Sequence, residues 1–228
     1  VPEDCHSEYY ELTVIGSEVH IYTPYQEGTV WAAQTLATIF GIVQKGGKVP
    51  NLTIKDWPQM PVRGIFVENK WGTDRMTSHD WFQAIDAISS VKLNTMGMGL
   101  YGCWGNCRFS NHNMPTEFLM FQSTLPENED IYSEQRIRWY DAKADYWKDE
   151  TAAPYIFQHD FFAEVISYGK ERGVNVIPFF NCLGHNTLFP RLRPEISAIN
   201  EAGEASGTGF CLSTPKTKEF LSGILGEI

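Results

Sequence analysis

The 228-residue sequence has no run approaching the ~18 continuous apolar residues that cross a bilayer. It also lacks cations: 18 Lys and Arg against 28 Asp and Glu leave a formal charge of −10, and no basic run stands out. A nucleic-acid backbone or an anionic membrane is therefore a poor partner, and an uncharged one fits better. Cysteine is sparse, odd in number and scattered, at Cys5, Cys103, Cys107, Cys182 and Cys211. It lacks the paired spacing of a zinc site, so neither a metal nor a cofactor is expected. Cys103 and Cys107 in "CWGNC" leave open a short-loop disulfide, a pair of ligands or plain thiols, with thiols preferred. There is no initiating Met and no signal-like apolar segment, so any targeting peptide is expected to lie outside this sequence.

What is present is core. The chain is 43% hydrophobic and 14% aromatic, with seven Trp, ten Tyr and fourteen Phe, enough to bury one large domain or two modest ones. Aromatic rings mostly fill cores, and they also stack on sugar rings.

Residues 9–23, "YYELTVIGSEVHIYT", alternate apolar and polar positions on both sides of "GSE", the pattern of a hairpin. "TVWAAQTLATIFGIV" follows with helical spacing and ends near the glycines of "KGGK". Two strands and a helix are too little for a domain, so something is expected before Val1.

After "IKDWPQMP" the rhythm becomes strand then helix. "VRGIFVE" at 62–68 reads as a strand, and "SHDWFQAIDAISSVK" at 78–92 as a helix with Ser78 as cap and Asp80 in its first turn. "LNTMGMGL" at 93–100 reads as the next strand. A polar and aromatic stretch, 101–157, interrupts the pattern. "QHDFFAEVISYGKERG" then reads as a helix ending at Gly173, "VNVIPFF" as a strand, and "TPKTKEFLSGILGEI" as a helix with Thr214 as cap and Pro215 in its first turn. Three such repeats imply parallel strands with crossover helices. A nucleotide-binding doubly wound fold requires a glycine-rich phosphate loop after the first strand, and "ENKWGTDRMTS" has one glycine. In a barrel, function gathers at the C-terminal strand ends, which here carry Glu68 and Asn69, Tyr101 and Trp104, and Asn181 and His185.

In order, "YYELTVIGSEVHIYTPYQEGTVWAAQTLATIF", "IKDWPQMPVRGIFVE", "DAISSVKLNTMGM", "YGKERGVNVIPFFNCLGH" and "CLSTPKTKEFLSGILGEI" resemble glycoside hydrolase family 20, the β-N-acetylhexosaminidases. The resemblance implies an α/β protein. Residues 1–57 would be the C-terminal part of a small α/β domain, and 58–228 the first three βα units of a TIM (β/α)8 barrel. It implies a carbohydrate substrate and no cofactor. It also implies secretion or a periplasmic location, with which the lone sequon at Asn51 agrees. Three βα units do not close a barrel, so self-association or the remainder of the barrel is expected.

In that family the substrate's own acetamido oxygen is the nucleophile, an exception to the usual pair of protein carboxylates. A Glu acid and an Asp that orients the acetamide follow the fourth barrel strand, so here they would lie beyond Ile228. The resemblance gives Arg63 contacts to sugar hydroxyls, with a structural ion pair as its alternative, and His185 a place beside the acid, with a hydrogen bond within its own loop as the alternative. The pattern departs elsewhere. Gly97, Gly99, Gly102 and Cys103 stand at or near the positions of histidines and aspartates. Asn181 replaces an acidic residue and Phe179 a glutamate. Glu68 stands for an aspartate, and Trp71 lies near an expected arginine. Arg63, Glu68, Tyr101, Trp104, Asn181 and His185 are the candidate sugar contacts, the two aromatics by stacking.

Overall fold

A computed structural model describes residues 7–67, 76–103, 117–119, 122–132, 135–141, 143–152, 160–180, 182 and 188–228. In chain order the elements are β1 (Tyr10–Ile15), β2 (Glu18–Tyr22), α1 (Gln26–Gln44), β3 (Leu52–Asp56), β4 (Gly64–Val67), α2 (Ser78–Ser90), β5 (Thr95–Gly99), β6 (Tyr101–Cys103), β7 (Glu117–Leu119), β8 (Gln135–Asp141), β9 (Tyr146–Ala152), α3 (Phe162–Glu171), β10 (Asn175–Phe179), α4 (Leu188–Leu192), β11 (Ser197–Ile199), β12 (Ala205–Phe210) and α5 (Pro215–Glu227). They group into two compact units. One comprises Val1–Ile65, Phe82–Met96 and Ile166–Val176, the other Phe66–Trp81, Gly97–Val165 and Ile177–Ile228.

The hairpin read from residues 9–23 is β1–β2, turning at Gly16 with φ +59°. The sequence reading missed β3, which pairs antiparallel with the other edge of β1 in the order β2-β1-β3. Alternate residues Tyr10, Leu12 and Val14 are buried against Trp31 and Ala32 of α1, with Leu36, Ile39, Leu52 and Ile54 packed around them. Helix α1 ends where the glycines require. Gly47 N–H donates to Ile42 O and Gly46 N–H to Val43 O, each 2.9 Å, with Gly46 at φ +81°. This is the Schellman arrangement that glycine enters without a Cβ penalty.

A second sheet has the order β10-β5-β4. Its strands run parallel. Asn175 N–H bonds Asn94 O near the starts of β10 and β5, and Leu100 N–H bonds Phe179 O near their ends. Likewise Gly64 lies against Thr95 and Phe66 against Gly97 as β4 and β5 advance together. The sheet thus follows chain order, with α2 between β4 and β5 and α3 between β5 and β10. Met96, Met98 and Val176 are buried on one face. A Cβ on Gly169 of α3 would fall 2.8 Å from Val176 Cγ2, so glycine lets the helix approach this strand closely.

The cap of α2 is Thr77, in place of the Ser78 read from sequence. Thr77 N–H and Oγ1 both donate to the Asp80 carboxylate at 2.7 and 2.8 Å, and Asp80 N–H returns to Thr77 Oγ1 at 3.4 Å, a reciprocal capping box. These bonds hold the Asp80 carboxyl below its usual range. Thr214 caps α5 by position, with no side-chain cap bond.

The stretch 101–157, read as an interruption, contains the antiparallel pairs β6–β7 and β8–β9, and β11–β12 forms another hairpin the sequence did not signal. In the second unit Glu227 of α5 fastens residues 123 and 124 within this stretch, accepting from Ser123 Oγ at 2.5 Å and from Thr124 N–H and Oγ1 at 2.5 and 2.7 Å. Burial pushes the Glu227 carboxyl up, but these bonds outweigh it and leave it lowered.

Gly46→Ala is expected to lower stability by about 1 kcal/mol, because alanine must hold a left-handed backbone. A denaturant midpoint on the pair of proteins reads this; an unchanged midpoint would show that the cap is not needed.

Candidate functional site

The C-terminal ends of β4, β5 and β10 lie side by side, the position where open parallel sheets bind ligands. Strand alternation puts Met96, Met98 and Val176 on the buried face. Gly97 and Gly99 of β5 therefore point to the other. A Cβ on Gly97 would sit 2.8 Å from the Phe66 ring and 2.9 Å from the Phe179 ring. The two rings close over the bare glycine and meet edge to face, centroids 4.9 Å apart and interplanar angle 74°. Both are open to solvent, 56% for Phe66 and 48% for Phe179. The sequence marks Phe179 only as a departure from the resembled pattern and does not single out Phe66. Its one usable signal was a pair of glycines alternating along β5.

Of the residues read as sugar contacts, Glu68, Trp104, Asn181 and His185 lie outside the described residues, as does Trp71. The Tyr101 backbone is described in β6, paired with Leu119. Arg63 stands at the start of β4, away from its C-terminal end.

Its guanidinium is occupied. Nη2 donates to Glu8 Oε2 at 2.6 Å, Nη1 to Met60 O at 2.8 Å, and Nε to Lys92 O at 3.0 Å. Arg63 and Glu8 side chains are only 14% and 13% exposed, and the guanidinium carbon lies 5.7 Å from the Trp31 ring centre. This is the structural ion pair set against sugar contact in the sequence reading. Beside it Lys92 Nζ bonds Asp56 Oδ2 at 2.6 Å and Tyr10 Oη at 2.7 Å, and Tyr10 Oη donates to the same carboxylate at 2.9 Å. A small cavity of about 70 Å³ is lined by these side chains and by Trp31 and Trp57. Trp31 Nε1 is buried without a hydrogen-bond partner among the described residues.

Burial pushes the Asp56 carboxyl up, but the bonds from Lys92 and Tyr10 outweigh it and lower it. Burial pushes Lys92 down, but Asp56 and Tyr10 outweigh it and raise it. Burial raises the Tyr10 phenol despite bonds from Lys92 and Thr35. Among the described residues no group of three or more His, Cys, Asp or Glu could hold a metal, and no described helix is long and apolar enough to cross a membrane. Cys182 and Cys211 are free thiols.

Two outcomes are expected here. Arg63→Met leaves the buried Glu8 carboxylate without its cation, with the Asn94 amide still donating to it, which should cost about 3 kcal/mol in a denaturant melt; a loss under about 0.5 kcal/mol would show that the pair does not hold this end of β4. The Asp56–Lys92 pair is more open and should contribute about 1 kcal/mol or less. Because Asp56 is lowered from 3.8, its contribution is full above about pH 4 and is lost as pH falls through the lowered value. Because Lys92 is raised from 10.5, its contribution is full below that pH and is lost as pH rises through the raised value. Stability against pH for Lys92→Met should lack both losses, and wild-type curvature in the variant would contradict the assignment.

No family model matches the chain. A probable β-hexosaminidase of Arthroderma benhamiae is 24% identical over 205 residues, covering 86% of this chain and 27% of that protein. Among solved structures, a β-N-acetylhexosaminidase matches at TM-score 0.70 and 18% identity over 100% of this chain and 45% of its own. The β-N-acetylhexosaminidase of Bacteroides fragilis matches at 0.63 and 19% over 97% and 40%. A family 20 exo-β-N-acetylglucosaminidase of Vibrio harveyi, solved with N-acetylglucosamine, matches at 0.64 and 17% over 96% and 34%. The chain spans about a quarter of the curated relative and less than half of each of these structures. Divergent in sequence, it shares its fold with part of the glycoside hydrolase family 20 β-N-acetylhexosaminidases.

Proposed function

We propose that this chain is part of a glycoside hydrolase that removes terminal β-linked amino sugars by the substrate-assisted, retaining route. The fold likeness over the whole chain, at TM-score 0.70, carries this reading. A sheet in chain order supports the accompanying architecture, in which 1–57 complete a small α/β domain and 58–228 begin a (β/α)8 barrel. The acid and the acetamide-orienting carboxylate would follow Ile228. Glu68, Tyr101, Trp104, Asn181 and His185 would contact the sugar, with His185 beside the acid. We assign Arg63 to the fold, since its donors already serve Glu8, Met60 and Lys92. The partner of this segment is the rest of the barrel or a second copy.

A second reading is favoured by one observation. The sheet face at Phe66, Gly97 and Phe179 is aromatic and glycine-lined where the resembled family is charged. That suits a carbohydrate-binding barrel without hydrolysis, or a hydrolase of another sugar on the same scaffold.

The complete protein decides. Turnover of an aryl N-acetyl-β-glucosaminide is expected, falling at least about tenfold when the N-acetyl group is replaced by N-trifluoroacetyl, because the weakened amide oxygen is the nucleophile. Turnover indifferent to the N-acyl group would overturn the mechanism, and sugar binding without turnover would select the second reading. Residues 1–228 alone are expected to give no turnover, and activity lost with His185→Ala in that segment would show that its acid lies inside it.

A further inference from the structure

The sequence carries one Asn-X-Ser/Thr triplet, Asn51-Leu52-Thr53, and the hydrolase reading makes no use of it. The fold separates its parts by face. Leu52 and Ile54 of β3 pack on the core of β1 and α1, so alternation turns Thr53 and Lys55 to the opposite face, where both are exposed. Asn51, directly before the strand, is exposed as well. That outer face is polar by composition. Glu11, Thr13 and His20 stand in register with Lys55 and Thr53 on it, so it is suited to water and needs no covering element. Asn51 Oδ1 accepts from Gly16 N–H of the hairpin turn at 2.9 Å, and its Nδ2 has no hydrogen-bond partner among the described residues.

We propose that Asn51 is an N-glycosylation site, so that the side chain that braces the hairpin turn also carries an oligosaccharide. The donor is a lipid pyrophosphate-linked oligosaccharide, met before the chain folds. Asn51 Nδ2 attacks the anomeric carbon, the new C–N bond replaces the C–O bond to pyrophosphate, Nδ2 gives up one proton, and the lipid pyrophosphate leaves. Thr53 supplies the hydroxyl that the acceptor triplet requires. Folding then filters such sites, because a side chain that must be buried cannot keep a bulky, solvated group. Asn51 passes that filter. The modified amide keeps its carbonyl, so Oδ1 still accepts from Gly16 N–H, and the sugar leaves from the nitrogen that the fold does not use. Gly16, at φ +59°, has no atom within 4 Å of where a Cβ would stand, so the turn is open beside the first sugar. The inference does not depend on the hydrolase reading. Its alternative is an unmodified turn asparagine.

The test is peptide mass spectrometry of the complete protein from the organism that makes it, after glycans are released by an amidase in heavy-oxygen water. Most of the peptide containing Asn51 should appear with that residue converted to heavy-oxygen aspartate. Recovery of the plain asparagine peptide would overturn the proposal. Variants of the complete protein secreted from a eukaryotic host separate the acceptor triplet from the turn. Asn51→Gln and Thr53→Val should each abolish the label, and Thr53→Ser should retain it. Thr53→Val is the discriminating change, because it removes the hydroxyl, favours the strand, and leaves the Asn51–Gly16 bond in place. Its denaturant midpoint should match that of enzymatically deglycosylated wild type. A label at Asn51 that persists in Thr53→Val would show adventitious deamidation and would also overturn the site.

Discussion

The starts of three parallel strands are held by one polar knot, Glu8, Arg63 and Asn94. Arg63 O accepts from Asn94 N–H at 2.8 Å and from Thr95 N–H at 3.0 Å, tying β4 to β5. Asn94 O accepts from Asn175 N–H at 2.8 Å, tying β5 to β10. The Asn94 side chain accepts from Arg63 N–H at 2.9 Å and donates to Glu8 Oε1 and Pro61 O at 2.8 and 2.7 Å. Glu8 then closes on the guanidinium. An arginine this enclosed requires a carboxylate and carbonyls on nearly every donor, because an unpaired buried charge costs several kcal/mol. The knot fixes strand register, and register decides which alternate residues share a face.

Strand alternation also sets the character of the C-terminal ends. With Met96 and Met98 committed to the helix-covered face, the opposite face of β5 is glycine at 97 and 99. Two phenylalanines from the neighbouring strands fill the space over Gly97. The charge in this part of the chain is thus concentrated where it holds the strands together, and the described rim is aromatic.

Sequence reading found the elements whose periodicity is strong. The hairpin of β1 and β2, and helices α1, α2, α3 and α5, all show it, as do the three apolar strands of the parallel sheet. It missed β3, because "LTIKD" offers five residues of alternation directly before a Trp-Pro turn. It missed β8 and β9, because "QRIRWYD" and "YWKDETA" show no clean apolar face. Placing the cap at Ser78 overlooked Thr77, whose partner Asp80 had already been noticed for its charge alone. Arg63 was legible as an arginine that needed a reason, but its reason lies 55 residues away at Glu8, and no local pattern encodes such a pairing. The aromatic pair was hidden for the same reason: Phe66 and Phe179 are remote in the chain, and only the parallel order β10-β5-β4 puts Gly97 between them.

Arg63 serves the fold, its donors already taken by Glu8, Met60 O and Lys92 O. NMR of the complete protein, with labelled tryptophan indoles, tests it during titration with N-acetylglucosamine. Trp31 Nε1–H, beside Arg63, should stay in place at saturating sugar. Saturating shifts at Trp31 and Trp57 would move the sugar site to the Arg63 cavity and contradict the account.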